Sequence, residues 1–301
     1  MRRLSTALCL LLLLLGLGVP SAARAEDEFG VLVMAHGGGE AWNREVEAML
    51  KPLSQEFPLE IAFGMADPNS IQAAANRLEQ NGVDRIGVIR LFISGESWRE
   101  RTEQILSLRP GAPARPSGHD HAGAGEHGGH DMALWRIDSD ARFAISMEGL
   151  AEAPEMGAVL AERASALSTD PARESVLVLA HGPGDDAENE RWIAEIGERT
   201  DAVRALAPFR AVRAETLRED WPEKRAASEE RIRAFVEEAL RDDGRVLVIP
   251  YRVSGFGPYA RVLEGLSYVA DRRGLLPSDE VRQWVRRQAE TLRAELTASA
   301  P

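Results

Sequence analysis

Apolar residues gather in short dense runs along this chain, separated by stretches whose apolar positions recur at helical spacing. The run "FGVLVMA" at 29–35 is bounded by polar residues and too short for a buried helix, so it predicts a strand covered on both faces. From Glu40 to Phe57 the apolar positions Ala41, Val46, Met49, Leu50 and Leu53 predict an amphipathic helix. "LEIAFGM" predicts a second strand, and "DPNSIQAAANRLEQNG" a helix opened by Asp67 or Asn69 and closed by Asn81-Gly82. "VDRIGVIRLFIS" predicts a third strand.

The same order then returns. "SVLVLAHG" is a strand, Ala187 to Val203 is helical, "FRAVRAETL" is a strand, Trp221 to Arg241 is helical, and "GRVLVIPYRVSG" is a strand. Between the halves, "WRIDSDARFAISMEG" predicts a strand and the stretch through Ser168 a helical linker. A last helix starts at Asp279, with Val281, Trp284, Val285, Ala289 and Leu292 on its buried face. Strand and helix in alternation imply a parallel sheet covered on both sides. The expected fold class is therefore α/β, two repeated doubly wound parallel-sheet domains at 26–150 and 175–301, joined by a linker helix at 151–174.

The repeat is also literal. "VLVMAHGGGE" at Val31 to Glu40 is echoed by "VLVLAHGPGD" at Val176 to Asp185. Each places a histidine, His36 or His181, directly after a strand. In an open parallel sheet the ligand crevice lies beyond the carboxyl ends of the strands, so a side chain at that junction faces it. The glycines that follow let a ligand approach the backbone, and neutral imidazole is the commonest side-chain metal ligand.

Composition narrows the classes of function. With 44% hydrophobic and 28% charged residues, the 301-residue chain has material for a core in each half. A net charge of -12 makes it a poor partner for nucleic acid or anionic lipid and leaves it compatible with a metal cation. Arg2 and Arg3, the apolar run "ALCLLLLLLGLGV" and the small-residue site "ARA" at Ala23 to Ala25 predict a secretory signal over residues 1–25, hence a periplasmic mature protein. No later stretch is long enough to span a bilayer. The one cysteine, Cys9, lies within the signal, so the mature chain has neither disulfides nor thiolate ligands.

The repeated strand ending in "AHG", with a downstream strand ending in "LFISG" or "PYRVSG", resembles the class II chelatases, the sirohydrochlorin cobaltochelatase and ferrochelatase group. The resemblance runs over roughly Phe29 to Leu106 and Ser175 to Trp284. It implies two chelatase-like domains, a tetrapyrrole in the cleft, and insertion of a divalent metal, cobalt or iron. His36 and His181 match the family's metal-binding histidine, and Glu215 its acidic residue after the second strand, which makes His181 and Glu215 the candidate catalytic pair. Gly182, Gly255, Tyr251 and Tyr259 are the candidate tetrapyrrole contacts. The family's second histidine, in an "SG-x-H" pattern, is absent: the chain reads "SGES" at Ser94 to Ser97 and "SGFG" at Ser254 to Gly257. An alternative is therefore a non-catalytic exported protein that binds metal or tetrapyrrole in a degenerate site. A homo-oligomer is compatible with either.

The Pro-, Gly- and His-rich stretch 109–131 predicts an exposed loop. Its His119, His121, His127 and His130, beside Asp120, Glu126 and Asp131, form a loose set of ligands for cobalt, nickel or zinc. A hydrolase reading fails on the residues. "HGGG" at His36 resembles an esterase oxyanion loop and "GES" at Gly95 the start of a nucleophile elbow, but Arg99 stands where the elbow needs its second glycine.

Overall fold

The computed structural model describes residues 28–116 and 133–299. The signal at 1–25 and the four loop histidines lie outside the described residues. The first half runs β1 (Glu28–Ala35), α1 (Glu40–Leu50), β2 (Leu59–Phe63), α2 (Pro68–Gln80), β3 (Val83–Leu91), α3 (Arg99–Ile105) and β4 (Arg142–Ile145), followed by α4 (Glu155–Leu167). The second runs β5 (Glu174–Ala180), α5 (Asp186–Arg199), α6 (Asp201–Leu206), β6 (Ala211–Thr216), α7 (Pro222–Ala239), β7 (Arg245–Tyr251), α8 (Tyr259–Val262), β8 (Val269–Ala270) and α9 (Asp279–Ala298). All strands are parallel, in the orders β2-β1-β3-β4 and β6-β5-β7-β8.

In each sheet the strand that carries the histidine is flanked on both sides. Ala35 pairs with Phe63 and Leu91, and Ala180 with Thr216 and Tyr251. His36 and His181 thus leave equivalent points at the carboxyl edges. Burial from Phe29 to Ala35 is complete, as a run with no polar alternation requires. Helix α2 begins on a side-chain cap: Asp67 accepts from the Asn69 and Ser70 amides at 3.3 and 2.9 Å, and Pro68 occupies the first helical position.

Several elements differ from expectation. The helix expected over 40–57 ends at Leu50, and Pro52 enters a tight 3-10 turn at Lys51–Gln55. The helix expected over 187–203 is two, broken at Thr200, whose hydroxyl donates to the Gly197 carbonyl at 2.5 Å. The strand expected over 135–149 is only Arg142–Ile145, because Trp135 and Ile137 reach the core from irregular backbone. The short α3, α8 and β8 have too few residues to show a period.

The strands stay within their halves, but the helices after β4 and β8 change sides. Helix α4 packs against β7, α5 and α6, and α9 packs against β3, β4 and α1. Trp284 of α9 is fully buried and its indole donates to Glu148 at 2.8 Å; Arg287 bridges Glu148 and Glu155 at 2.6 and 2.7 Å. One core therefore serves both halves: Val31, Val33 and Ala35 of β1 share it with Val176, Val178 and Ala180 of β5, through Met156 and Leu160 of α4 and Val281 and Trp284 of α9. The outer face of each sheet has its own cluster, under α2 and α3 or under α7 and α8. Among the described residues no helix is long and apolar enough to cross a membrane.

Candidate functional site

The two histidines share one local geometry. His36 Nδ1 lies 2.7 Å from the Gly37 carbonyl, and His181 Nδ1 lies 2.7 Å from that of Gly182. A carbonyl oxygen only accepts, so Nδ1 carries the hydrogen in both rings, and Nε2 is the end turned away from the anchor. The glycines make this possible. Gly37 and Gly182 sit at φ 79° and 78°, and a Cβ at Gly182 would lie 2.6 Å from that of Thr216.

At Nε2 the halves part. His181 Nε2 is 2.9 Å from Asp220 Oδ2, and the Trp221 ring stands edge-on at 5.8 Å and 89°. Among the described residues no side chain bonds the Nε2 of His36, which is exposed.

Asp220 is held in place by its loop. Arg218 adopts a left-handed φ of 59°, its amide donates to the His181 carbonyl at 2.6 Å, and its guanidinium donates to the Pro183 and Gly184 carbonyls and to Asp186. Lys224 and Arg218 hold the Asp186 carboxyl below its ordinary range. Arg252 of the loop after β7 pairs with Glu219 and anchors the same segment from its other side.

The other expected contacts fall elsewhere. Glu215 is buried between Arg213 at 2.5 Å and Arg231 at 3.7 Å, so the carboxylate that meets His181 is Asp220 instead. Tyr251 is fully enclosed and donates to the Leu150 carbonyl at 2.7 Å, tying the halves together. Burial raises its pKa well above the ordinary phenol range. Tyr259 is equally enclosed; burial raises its pKa too, and its hydroxyl lies near Arg252 and Glu219 without a hydrogen bond of ordinary geometry. Gly255 does face open space, at φ 83° with nothing to meet a Cβ, while its amide donates to the Arg273 carbonyl at 2.6 Å.

The loops beyond β3 and β7 each reach across to the first helix of the other half. Glu96 of the "SGES" loop takes a two-pronged ion pair from Arg191 of α5, at 2.7 Å in each prong, and Ser254 of the "SGFG" loop donates to Glu45 of α1. Behind the first loop is Arg90, 1% exposed, with no ion pair to a carboxylate among the described residues: it donates to the carbonyls of Gly95, Ser97 and Ser146, and burial pushes its pKa down to about 10. Glu152 completes the frame by accepting from the Gly95 and Gly149 amides at 3.0 and 2.7 Å. Glu195 of α5 lies in the same region; burial, with Glu152 and Glu96 as like charges, raises its pKa to about 7.

No protein-family model matches the chain, and no curated protein matches it in sequence. Solved structures do. SirB from Bacillus subtilis with Fe3+ superposes with a TM-score of 0.61 at 14% identity, over 90% of this chain and 98% of that one. The sirohydrochlorin chelatase SirB from Bacillus subtilis subspecies spizizenii, in complex with cobalt, gives 0.57 at 14%, over 88% and 96%. The chain has the class II chelatase-like fold. A multi-domain protein of Deinococcus radiodurans, DR2241, with structural similarity to chelatases, gives 0.55 at 16% and covers 88% of this chain, which spans 55% of that longer protein. Within this chelatase-like fold, the described residues hold no group of three or more His, Cys, Asp or Glu placed to bind one metal ion.

Proposed function

We propose that this is a chelatase-type protein that brings a divalent metal, cobalt or iron, to a tetrapyrrole of the sirohydrochlorin class. The observation that carries the reading is the repeated Nδ1 anchor, which turns an imidazole Nε2 outward at the carboxyl edge of each sheet. The likeness to chelatases solved with iron and cobalt supports it. Metallation exchanges one metal dication for two pyrrole N–H protons, so the site needs a place for the metal and acceptors for the protons. His36 Nε2 offers a lone pair to the metal. Asp220, largely exposed beside His181, is the carboxylate placed to take one proton, and the other passes to solvent water.

The order of residues 1–25 supports export, and the histidines at 119–130 support collection of metal outside the cytoplasm. Sirohydrochlorin with Co2+ or Fe2+, followed by absorption, tests the reading. Turnover in proportion to protein, abolished by His36→Ala and reduced by His181→Ala, is the expected result; no time-dependent change in the intact protein sinks it. A second reading, stoichiometric carriage without turnover, is favoured by the two arginines that occupy Glu215. Its signature is a spectral change that stops at one equivalent.

A further inference from the structure

Trp98 combines three properties that burial alone would not select. It is 37% exposed, it adopts a left-handed φ of 58° that is unfavourable for a bulky residue, and it caps α3 at the carboxyl edge of the first sheet. The surrounding backbone fixes this conformation. The Trp98 carbonyl accepts from the Thr102 amide at 2.9 Å and the Thr102 hydroxyl at 2.7 Å, and the preceding Ser97 carbonyl accepts from buried Arg90 at 2.9 Å. The neighbouring loop after β4 carries Met147, 55% exposed. The two loops are in such close contact that a Cβ on Gly95 would lie 2.1 Å from the Met147 carbonyl.

A rigid frame built around a buried arginine thus displays an aromatic ring and a thioether to solvent. The second half has no such display. Phe256 of its equivalent loop is 9% exposed, lies nearly parallel to Tyr268 at 6.3 Å and 13°, and is covered by Arg272 at 5.4 Å. Its ring faces are already engaged.

We propose that Trp98, with Met147 of the neighbouring loop, is the contact surface for a flat aromatic macrocycle, binding it by stacking and dispersion on the same edge that carries His36. This assignment rests on the tetrapyrrole reading above. It makes the first half the one that seats the ligand, and the strained backbone at Trp98 part of that seat.

The test measures binding of metal-free sirohydrochlorin to the full chain by absorption and by quenching of tryptophan emission. Trp98→Gly removes the ring and suits the left-handed backbone, so it should fold with an unchanged or higher melting temperature. Trp98→Phe keeps a smaller ring. The expected result is binding about tenfold weaker in Trp98→Gly and intermediate in Trp98→Phe, with unchanged binding of Co2+ alone. Equal macrocycle binding by the intact protein and Trp98→Gly would overturn the Trp98 assignment while leaving the function standing. No binding by the intact protein would overturn the tetrapyrrole reading and this assignment with it.

Discussion

Asp220 Oδ2 stands 2.9 Å from His181 Nε2, across a separation of 39 residues, and occupies the approach to that nitrogen. The repeated "AHG" motifs therefore present one open nitrogen and one guarded nitrogen.

Removing the guard should open the second. With 117–131 deleted to lower the background, Asp220→Ala is expected to bind a second equivalent of Co2+, where the parent binds one. Calorimetric titration reads the stoichiometry, and one equivalent in both proteins would refute the guarding role.

Glu195 sets a pH dependence of stability. Its pKa rises from 4.5 to about 7, with burial as the first cause, so between those values the native chain holds a proton that the unfolded chain releases. The contribution is fully present below pH 4.5 and lost as pH rises through about 7. Denaturant midpoints for the parent and Glu195→Gln across that window should diverge as pH rises, the variant gaining relative to the parent. A constant difference would refute the assignment.

Glycine positions with the same sign of φ should respond differently. Gly182→Ala combines a φ of 78° with a Cβ 2.6 Å from the Thr216 Cβ, whereas Gly255→Ala at φ 83° meets nothing. The second should cost about 1–2 kcal/mol, the left-handed penalty alone, and the first clearly more. Equal losses in thermal unfolding would mean that the Thr216 contact relaxes freely.

Trp284→Ala should destabilise the fold by about 3–5 kcal/mol, since the indole is fully enclosed and its N–H donates to Glu148. Proteolysis should show the change in the first half as well as near the helix that carries the substitution. A loss confined to the C-terminal segment would contradict the shared core.

The three long strands of each half and the level of both histidines were legible in the sequence, because a run such as "VLVMA" has one common explanation in a parallel sheet, whereas short β4 and β8 were not. Asp220 was not, since its role depends on a loop turned by Arg218, and nothing in "LREDWPEK" distinguishes it from a solvated acid. Glu215 lay at the expected strand end, yet Arg213 and Arg231 claim it, one of them from the next helix. Tyr251 and Tyr259 were near the right loops, but local sequence does not say whether a tyrosine points into the cleft or the core. Amphipathic spacing in α9 showed that Val281, Trp284 and Leu292 are buried; it carried no information on which sheet they cover.

That last point bears on how the chain is made. The strands of the first sheet are all synthesised once Ile145 is added, but the helix that covers one of its faces is residues 279–298. A segment holding the first repeat alone would lack the α9 side chains that complete one face of its sheet, so the packed unit joins both repeats, although the sequence reads as two copies of one motif.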